Sequence, residues 1–171
     1  MIITVLGTGS PSREEYEEAY ELGKKIAKCG YILKNGGYAG LMEATAKGCT
    51  ENGGKAIGVC IKGHSIAYAK KPNAFLSEVI IKTDLTERLK ELLDTDLIIV
   101  MPGKIGTLEE FFKAWVEAKV ANKKGKIYMV GEKNKRLINF LSHNYFINPD
   151  EFFPYIQLVD SIDDLYFLIE R

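Results

Sequence analysis

The fold is decided by the stretch Asp96-Leu97-Ile98-Ile99-Val100-Met101-Pro102-Gly103-Lys104-Ile105-Gly106-Thr107-Leu108-Glu109-Glu110. Its first five residues form an apolar run rich in β-branched side chains, which predicts a strand buried on both faces. After the loop, apolar residues return at helical spacing, so the loop opens a helix. Unpaired N–H groups at a helix start bind phosphate or carboxylate, and glycine lets a ligand approach the main chain. The loop over 101–107 is therefore predicted to hold the phosphate of a nucleotide.

The rest of the chain alternates between strand-like and helix-like segments over short loops. Predicted strands cover 2–6, 31–33, 56–61, 78–82, 126–130 and 156–159. Predicted helices cover 12–29, 41–51, 83–93 and 135–142, with a long helix from the 101–107 loop to about 121 and a last helix from Ser161. This order predicts a Rossmann-like α/β fold over 1–171, interpreted as one domain: a doubly wound parallel sheet flanked by helices in three α/β/α layers. The segment 62–77 breaks the pattern and is predicted to be a mobile loop of the length that covers sites.

Three glycine-containing loops follow predicted strands, at 7–12, 35–40 and 102–107. Ligands of such sheets bind at the carboxyl ends of the strands, where the strand order reverses. If the order reverses between the first strand and the Asp96 strand, the loops 7–12 and 102–107 flank the crevice. The loop after the first strand lacks the third glycine of a dinucleotide fingerprint, and no Gly-Lys-Ser/Thr triplet exists, so neither NAD nor a P-loop is predicted.

Composition excludes several classes of protein. The 23 basic residues balance the 23 acidic ones, so no net charge attracts nucleic acid or an anionic membrane. The apolar runs are only strand-length and Met1 leads directly into a strand, which predicts a cytoplasmic protein without a membrane span. Cys29, Cys49 and Cys60 lack metal-type spacing and are predicted to be reduced thiols. With only two histidines, no metal and no cofactor are predicted.

Two motifs, taken together, are specific for a superfamily. They are Gly36-Gly37-Tyr38-Ala39-Gly40-Leu41-Met42-Glu43-Ala44 and Pro102-Gly103-Lys104-Ile105-Gly106-Thr107-Leu108-Glu109-Glu110. The pair resembles the LOG family, cytokinin riboside 5′-monophosphate phosphoribohydrolase-like proteins long mislabelled lysine decarboxylases. The resemblance runs from Ile2 to about Gly131, and Met42-Glu43 also resembles the related molybdenum-cofactor carrier branch.

The resemblance implies a fold, a reaction and a set of residues. It implies a Rossmann-like protein, usually a homodimer, that binds a nucleoside 5′-monophosphate such as AMP and hydrolyses its N-glycosidic bond to free base and ribose 5-phosphate. The family's catalytic glutamate falls on Glu110 and its arginine on Arg88. With the loop that follows the first strand, the expected nucleotide and phosphate site comprises Gly7, Gly9, Ser10, Gly36, Gly37, Gly40, Met42, Glu43, Pro102, Gly103, Lys104, Gly106 and Thr107.

The chain departs from the family pattern at two places. Lys104 replaces the second glycine of Pro-Gly-Gly, where its ammonium helps to hold a phosphate or its side chain crowds the site. The interval from Arg88 to Asp96 is one residue shorter than usual. We place this deletion after the helix, near Asp94-Thr95, because a deletion inside the helix would rotate Arg88 by ~100°.

Each catalytic assignment has a structural alternative. Thr107 and Glu110 have capping-box spacing, so Glu110 alternatively satisfies backbone N–H groups. Arg88 alternatively forms a solvated helix pair with Asp84 or Glu91. Met42 is alternatively a core residue and Glu43 a helix-surface residue. Apolar positions of the long helix (Phe111, Phe112, Trp115) are predicted core, on a face wide enough to form a dimer interface.

The leading interpretation is a metal-independent phosphoribohydrolase that uses Glu110 and Arg88. Its rival is a non-catalytic binder or carrier of a nucleotide or molybdopterin-type cofactor, favoured by Lys104 and the Met42-Glu43 pair. A third interpretation is a structural homodimer with a vestigial pocket. A decarboxylase is not supported, because no pyridoxal-phosphate lysine site is recognisable.

Overall fold

The computed structural model describes residues 1–62, 71–123, 125–144, 148, 150 and 154–170. The strands are β1 (Ile2–Leu6), β2 (Ile32–Asn35), β3 (Lys55–Ile61), β4 (Glu78–Lys82), β5 (Leu97–Val100), β6 (Ile127–Val130) and β7 (Ile156–Val159). The helices of the described residues include α1 (Arg13–Lys28), α2 (Leu41–Glu51), α3 (Leu85–Leu93), α4 (Ile105–Val120), α5 (Glu132–Asn144) and α6 (Ile162–Ile169). All strand pairs are parallel, in the order β4-β3-β2-β1-β5-β6-β7.

Helices cover both faces of this sheet, so the predicted three-layer α/β/α fold is confirmed. One buried cluster joins α1, α2 and α6 to the face that carries Ile3 and Ile99. The other joins α3, α4 and α5 to the face that carries Leu6 and Ile98. Because β1 and β5 are buried from both sides, their sequences are continuous apolar runs rather than alternating ones.

The strand order reverses between β1 and β5, as predicted. Ile3 pairs with Leu33 of β2 on one side and with Leu97 of β5 on the other. The chain moves outward in one direction through β2, β3 and β4, and in the opposite direction through β6 and β7. The loops that follow β1 and β5 therefore meet at one point of the carboxyl edge.

Local signals explain the ends of most elements. The Ser12 side chain accepts from Glu15 N at 3.2 Å while the Glu15 carboxylate accepts from Ser12 N at 2.8 Å, which is the predicted capping box of α1. Gly30 ends that helix with φ 71°. Helix α5 begins three residues earlier than predicted, at Glu132, because its polar first turn shows no apolar period. Asn134 anchors that turn by donating to Val100 O and Val130 O.

The interruption predicted at 62–77 lies partly outside the described residues, which omit 63–70. Its second part is tied to the second glycine loop. Asn73 N donates to Gly37 O and Asn73 Nδ2 to Tyr38 O, both at 2.9 Å. Across the described ranges, no helix combines the length and the apolarity needed to cross a bilayer.

Candidate functional site

A cavity of about 390 Å3 opens at the carboxyl edge of the sheet, where β1 and β5 lie side by side. We call it the switch-point cavity. Its walls come from the loops after β1 and β5, the second glycine loop, and the starts of α3 and α4. It is lined by Gly7, Thr8, Gly9, Ser10, Tyr38, Met42, Ile61, Leu85, Arg88, Lys104, Gly106, Thr107, Glu109 and Glu110.

Backbone hydrogen bonds fix the loops around this cavity. Thr8 N donates to Pro102 O at 3.3 Å, and Leu41 N donates to Thr8 O at 3.0 Å. The Thr8 side chain accepts from Ser10 N at 3.2 Å. Because Thr8 links the loops after β1, β2 and β5, the three loops hold one arrangement.

The helix starts at this edge differ in how their N–H groups are satisfied. Helix α1 has its capping box, and the first N–H of α2 is used by Thr8 O. Helix α4 begins after Lys104, and within the described residues no side chain caps its first turn. The cavity lining includes Gly106 and Thr107 from this turn. An anion in the cavity would therefore meet the open N–H groups and the positive dipole end of α4.

Arg88 of α3 and Glu110 of α4 contact each other in the lining of the cavity. Arg88 Nη1 lies 3.3 Å from Glu110 Oε1, and the two side chains are 14% and 15% exposed. Arg88 Nε donates to Val59 O at 2.9 Å, and the guanidinium lies over the Tyr38 ring, 5.9 Å from its centroid. The side chain of Arg88 is therefore held from three sides.

This geometry removes the structural alternative for Arg88. Asp84 caps α3 by accepting from Thr86 N and Glu87 N, and Glu91 pairs with Lys82 at 2.9 Å. Neither carboxylate holds the Arg88 side chain, so the alternative of a solvated pair with Asp84 or Glu91 is wrong. Helix α3 is continuous from Leu85 to Leu93, and the residues near which we place the deletion, Asp94 and Thr95, follow its end.

The capping alternative for Glu110 is wrong as well. Helix α4 begins at Ile105, so Thr107 lies inside its first turn instead of preceding the helix. The Glu110 carboxylate accepts from Arg88 rather than from the start of its own helix. Burial raises the pKa of Glu110, and the nearby Arg88 guanidinium opposes that shift without cancelling it.

The residues expected in the nucleotide site divide into two groups. The first group lines the cavity and comprises Gly7, Gly9, Ser10, Met42, Lys104, Gly106 and Thr107. Lys104 is exposed at the N-cap of α4, and a Cβ built on Gly106 would meet no atom within 4 Å. A side chain at Gly106 would therefore enter open space at the cavity.

The second group supports the cavity without lining it. A Cβ at Gly36 would lie 2.7 Å from both Arg88 Nη2 and Met42 Sδ, so this glycine makes room for the guanidinium. Gly37 packs against Gly58, with φ 78°. Gly40 has φ 73° and lies against the backbone of the loop after β1.

The remaining members of this second group have equally local contacts. Gly103 lies directly under the Thr107 side chain, where no Cβ would fit. Pro102 contributes its carbonyl oxygen to Thr8 N. Glu43 accepts from Tyr16 Oη at 3.3 Å and so points toward α1.

The cavity has an apolar wall that was not predicted from the sequence, formed by Tyr38, Ile61 and Leu85 beside Met42. Tyr38 lies inside the first motif, and its hydroxyl accepts from Ile61 N at 2.9 Å. Burial raises the pKa of Tyr38, which keeps the phenol protonated. Leu85 could not be recognised as a cavity residue from the sequence, because its spacing assigns it to the apolar stripe of α3. In the structure it is 54% exposed.

The two buried cysteines lack the lowered pKa of a nucleophilic thiolate. All three are free, and Cys49 and Cys60 are buried. Burial raises the pKa of Cys49 to about 11 and also raises the pKa of Cys60. Both thiols are therefore protonated near neutral pH. Within the described parts of the chain, no cluster of three or more His, Cys, Asp or Glu residues could hold a metal ion.

A family model described as the SLOG cluster4 family matches residues 1–144, most of the chain. The chain belongs to the SLOG cluster4 family. The resemblance drawn from the two glycine motifs is thereby confirmed at the level of the superfamily.

Sequence relatives of this SLOG cluster4 chain include named enzymes. A cytokinin riboside 5′-monophosphate phosphoribohydrolase from Mycobacterium tuberculosis is 33% identical over 131 residues, which cover 75% of this chain and 69% of that protein. One of the same name from Rhodococcoides fascians is 28% identical, over 82% of this chain and 74% of that protein.

Solved structures share the fold of this SLOG cluster4 chain. The molybdenum cofactor binding protein from Rippkaea orientalis matches with a TM-score of 0.75 at 23% identity, over 99% of this chain and 94% of that one. The molybdenum cofactor carrier protein from Chlamydomonas reinhardtii has the same TM-score and identity, over 99% and 95%. At this identity the match establishes the fold.

Proposed function

We propose that the chain is a nucleoside 5′-monophosphate phosphoribohydrolase, releasing a free base and ribose 5-phosphate. The observation that carries the proposal is the Arg88–Glu110 pair, 3.3 Å apart, in a cavity beside the uncapped start of α4. A carboxylate and an anion-binding turn in the lining of one cavity suit a substrate with a sugar between its phosphate and its base. Relatives that carry this activity in their names support the assignment.

The cavity divides into regions that match the parts of such a substrate. The phosphate lies against the N–H groups of Gly106 and Thr107, with the Lys104 ammonium at the rim. The base lies against the apolar wall, where the Tyr38 ring and the Met42 side chain offer a surface for a planar ring system. The ribose lies between them, next to Glu110.

The chemistry follows from charge. As the bond from C1′ to the base nitrogen breaks, its electron pair leaves with the base and positive charge develops on the sugar. The Glu110 carboxylate stabilises that charge and orients a water molecule, whose oxygen bonds to C1′. One proton of that water passes to the leaving base, and the other stays on the oxygen as the C1′ hydroxyl of ribose 5-phosphate. Arg88 favours the ionised form of Glu110 against the effect of burial, and it fixes the orientation of the carboxylate.

Hydrolysis of AMP tests the proposal. Purified protein is incubated with AMP, and adenine and ribose 5-phosphate are measured by chromatography. We expect Glu110→Gln to lower turnover by at least about a hundredfold, since it removes the charge but keeps the shape. Glu117→Gln, on the same helix in an exposed pair with Lys113, is the matched control and keeps turnover. Equal turnover in both variants would refute the role of Glu110.

A non-catalytic carrier of a nucleotide or a molybdopterin-type cofactor is the second candidate. Lys104 favours it, because an exposed ammonium at the N-cap adds charge for holding a phosphate where the family motif has glycine. In the same assay, tight binding of AMP or a pterin without release of base would support the carrier. Absence of any thermal shift with these ligands would instead favour a structural homodimer with a vestigial pocket.

We also propose that 1–171 acts as one domain and assembles as a homodimer through α4. An apolar stripe of that helix remains exposed in the described structure: Ile105 (81%), Phe112 (36%), Val116 (57%) and Val120 (83%). The spacing of these residues places them along one side of the helix. Since Ile105 lies between the cavity-lining Lys104 and Gly106, an interface on this stripe would adjoin the cavity mouth.

A further inference from the structure

Helix α3 carries Arg88, yet it is only lightly packed on the sheet. Its first three residues are exposed, and its buried residues are Leu92 and Leu93, in its last turn. The position of Arg88 therefore depends on how the carboxyl end of α3 is held.

Two polar side chains of the sheet bind that end. Thr4 Oγ1 donates to Leu92 O at 2.8 Å, and Lys34 Nζ donates to Glu91 O at 3.0 Å and to Asp94 O at 2.7 Å. Thr4 and Lys34 are partners in the register of β1 and β2, and both are buried. We call this pair the α3 clamp.

Lys34 is an unusual residue for the interior of a parallel sheet, because a buried ammonium is unfavourable unless it is paired and hydrogen-bonded. Here the ammonium meets the negative dipole end of α3 and the Glu91 carboxylate at 3.7 Å. Glu91 is also bound by Lys82 at 2.9 Å, on the outer side. The charge is thus used to hold one helix end.

We infer that Lys34, together with Thr4, is a positioning residue that sets the Arg88 guanidinium against Glu110 through α3. Its catalytic consequence rests on the proposed hydrolase, whereas its effect on Arg88 does not. The clamp binds the carbonyl of Glu91, which lies three residues after Arg88, or ~4.5 Å along the helix axis. If the last turn of α3 moves, Arg88 therefore moves by nearly the same distance.

The contacts of Arg88 leave little room for such a displacement. Its bond to Val59 O is 2.9 Å long and that to Glu110 is 3.3 Å, already near the upper limit for a hydrogen bond. Gly36 bounds the guanidinium on another side. A shift of about 1 Å would break the contact with Glu110, and misplacement on this scale lowers turnover by about a hundredfold.

Lys34→Met tests the inference, because it keeps the aliphatic stem and removes the donors. Two quantities are measured: kcat and KM with AMP, and the Nε–H signal of Arg88 in protein labelled with 15N-arginine. Arg88→Lys assigns that signal among the four arginines, Arg13, Arg88, Arg136 and Arg171. The Arg13 and Arg136 Nε groups, in exposed pairs with Glu17 and Glu132, are internal references.

We expect Lys34→Met to lower kcat by at least about tenfold with KM changed by less than about threefold, and to speed solvent exchange of the Arg88 Nε–H. Thr4→Val, which removes one clamp hydrogen bond at constant shape, should change kcat and the Arg88 Nε–H exchange in the same direction but by less. Lys34→Arg, which restores hydrogen-bond donors, should bring kcat and the exchange rate part of the way back to the values of the natural protein. Lys55→Met, at an exposed pair with Glu78, is the matched control and should change neither.

The outcomes separate the two proposals. If Lys34→Met changes neither kcat nor the Arg88 signal, the positioning role of the clamp is refuted. The same holds if the variant is less stable but has an unchanged kcat and an unchanged Arg88 signal. If Lys34→Met does not fold, the same comparison on Thr4→Val decides. If the natural chain releases no adenine, the hydrolase fails, while the Arg88 signal still tests the clamp.

Discussion

Glu110 is the residue whose surroundings decide the chemistry of the cavity. Its side chain is 15% exposed and faces the Arg88 guanidinium, while Glu109 adds a nearby negative charge. Burial disfavours the ionised carboxylate more than Arg88 favours it, so the pKa of Glu110 lies above the ordinary range of a glutamate. The proposed mechanism needs the ionised form.

The pH dependence of turnover follows from this shift. Activity on AMP should fall on the acid side as Glu110 becomes protonated, at a pH above the ordinary pKa of glutamate, which is about 4.3. Initial rates between about pH 4 and 9, with circular dichroism as a check of folding, measure the acid limb. A rate that stays constant down to the ordinary glutamate range in folded protein would contradict an essential Glu110 carboxylate.

Stability should depend on pH in the opposite sense. Because the pKa is raised, the folded protein binds this proton more tightly than the unfolded chain does. The contribution of Glu110 to stability is therefore complete below the ordinary glutamate pKa and is lost as pH rises through the raised one. Glu110→Gln abolishes that loss. Urea unfolding of the natural protein and of Glu110→Gln measures the free energy of unfolding of each across this pH range. The difference between the two values should change with pH, and a constant difference would contradict the raised pKa of Glu110.

A substitution at Gly106 should affect ligand binding without lowering stability. A methyl group there would meet no atom within 4 Å but would occupy the cavity beside the α4 N–H groups. We expect Gly106→Ala to keep or raise stability, by up to about 1 kcal/mol from helix propensity, and to weaken AMP binding by about tenfold, or 1.4 kcal/mol. Calorimetric titration and thermal unfolding measure the two effects. Unweakened binding would place the phosphate elsewhere.

At the scale of elements, the contact between α1 and α2 depends on two buried glycines. A Cβ on Gly23 would collide with the backbone of α2 at Thr45, and one on Gly48 would collide with the Tyr20 carbonyl oxygen of α1. The helices thus pack backbone against backbone, which fixes α2 and the glycine loop before it. The sequence did not reveal this packing role of either glycine, because the effect of a glycine inside a helix depends on the neighbouring helix.

Gly48→Ala should therefore destabilise the protein, although alanine is the better helix former. We expect a loss of about 1–3 kcal/mol in the free energy of unfolding from overpacking. Gly106→Ala, a helical glycine with open space around its Cα, is the matched control and should not lose stability. Denaturant titrations compare the two. An increase in stability in Gly48→Ala would show that the helices move apart without penalty.

At the scale of the whole molecule, the sheet order brings the loops after β1 and β5 together, and the exposed stripe of α4 lies outside the core on the same helix that opens the cavity. Several exposed apolar side chains in a row on one helix mark an interaction surface more strongly than scattered ones do. The proposed dimer therefore links assembly to the neighbourhood of the site.

Charge placed in this stripe should disrupt the dimer. We expect Val116→Glu to weaken self-association by more than about tenfold, because it buries an unpaired carboxylate and, across a two-fold axis, sets like charges together. Light scattering after gel filtration measures the mass. Phe167→Glu, at an apolar residue that is 68% exposed on the opposite layer, is the control. Dissociation by Phe167→Glu alone would place the interface on α6 instead.

Much of this architecture was predictable, because strand and helix periods, caps and glycine stops act over a few neighbouring residues. Local sequence was enough to predict the β5 strand, the capping box at Ser12 and the three loops at strand ends. The partners of Arg88 and Glu110 were not predictable from periodicity, since Asp84 and Glu91 satisfy the local spacing rules equally well. Only the family resemblance placed Arg88 and Glu110 in a common site.

By itself, then, the sequence determined the α/β alternation, the doubly wound class and the loops at which a ligand would bind, because these depend on interactions within one element or between neighbours in the chain. Tertiary structure alone decided that Arg88 turns from α3 to Glu110 of α4, that Gly36 makes room for the guanidinium, and that Lys34 holds the end of α3. These contacts join residues 22 or more positions apart. Their geometry exists only once the packing of the helices on the sheet has fixed the distance between them.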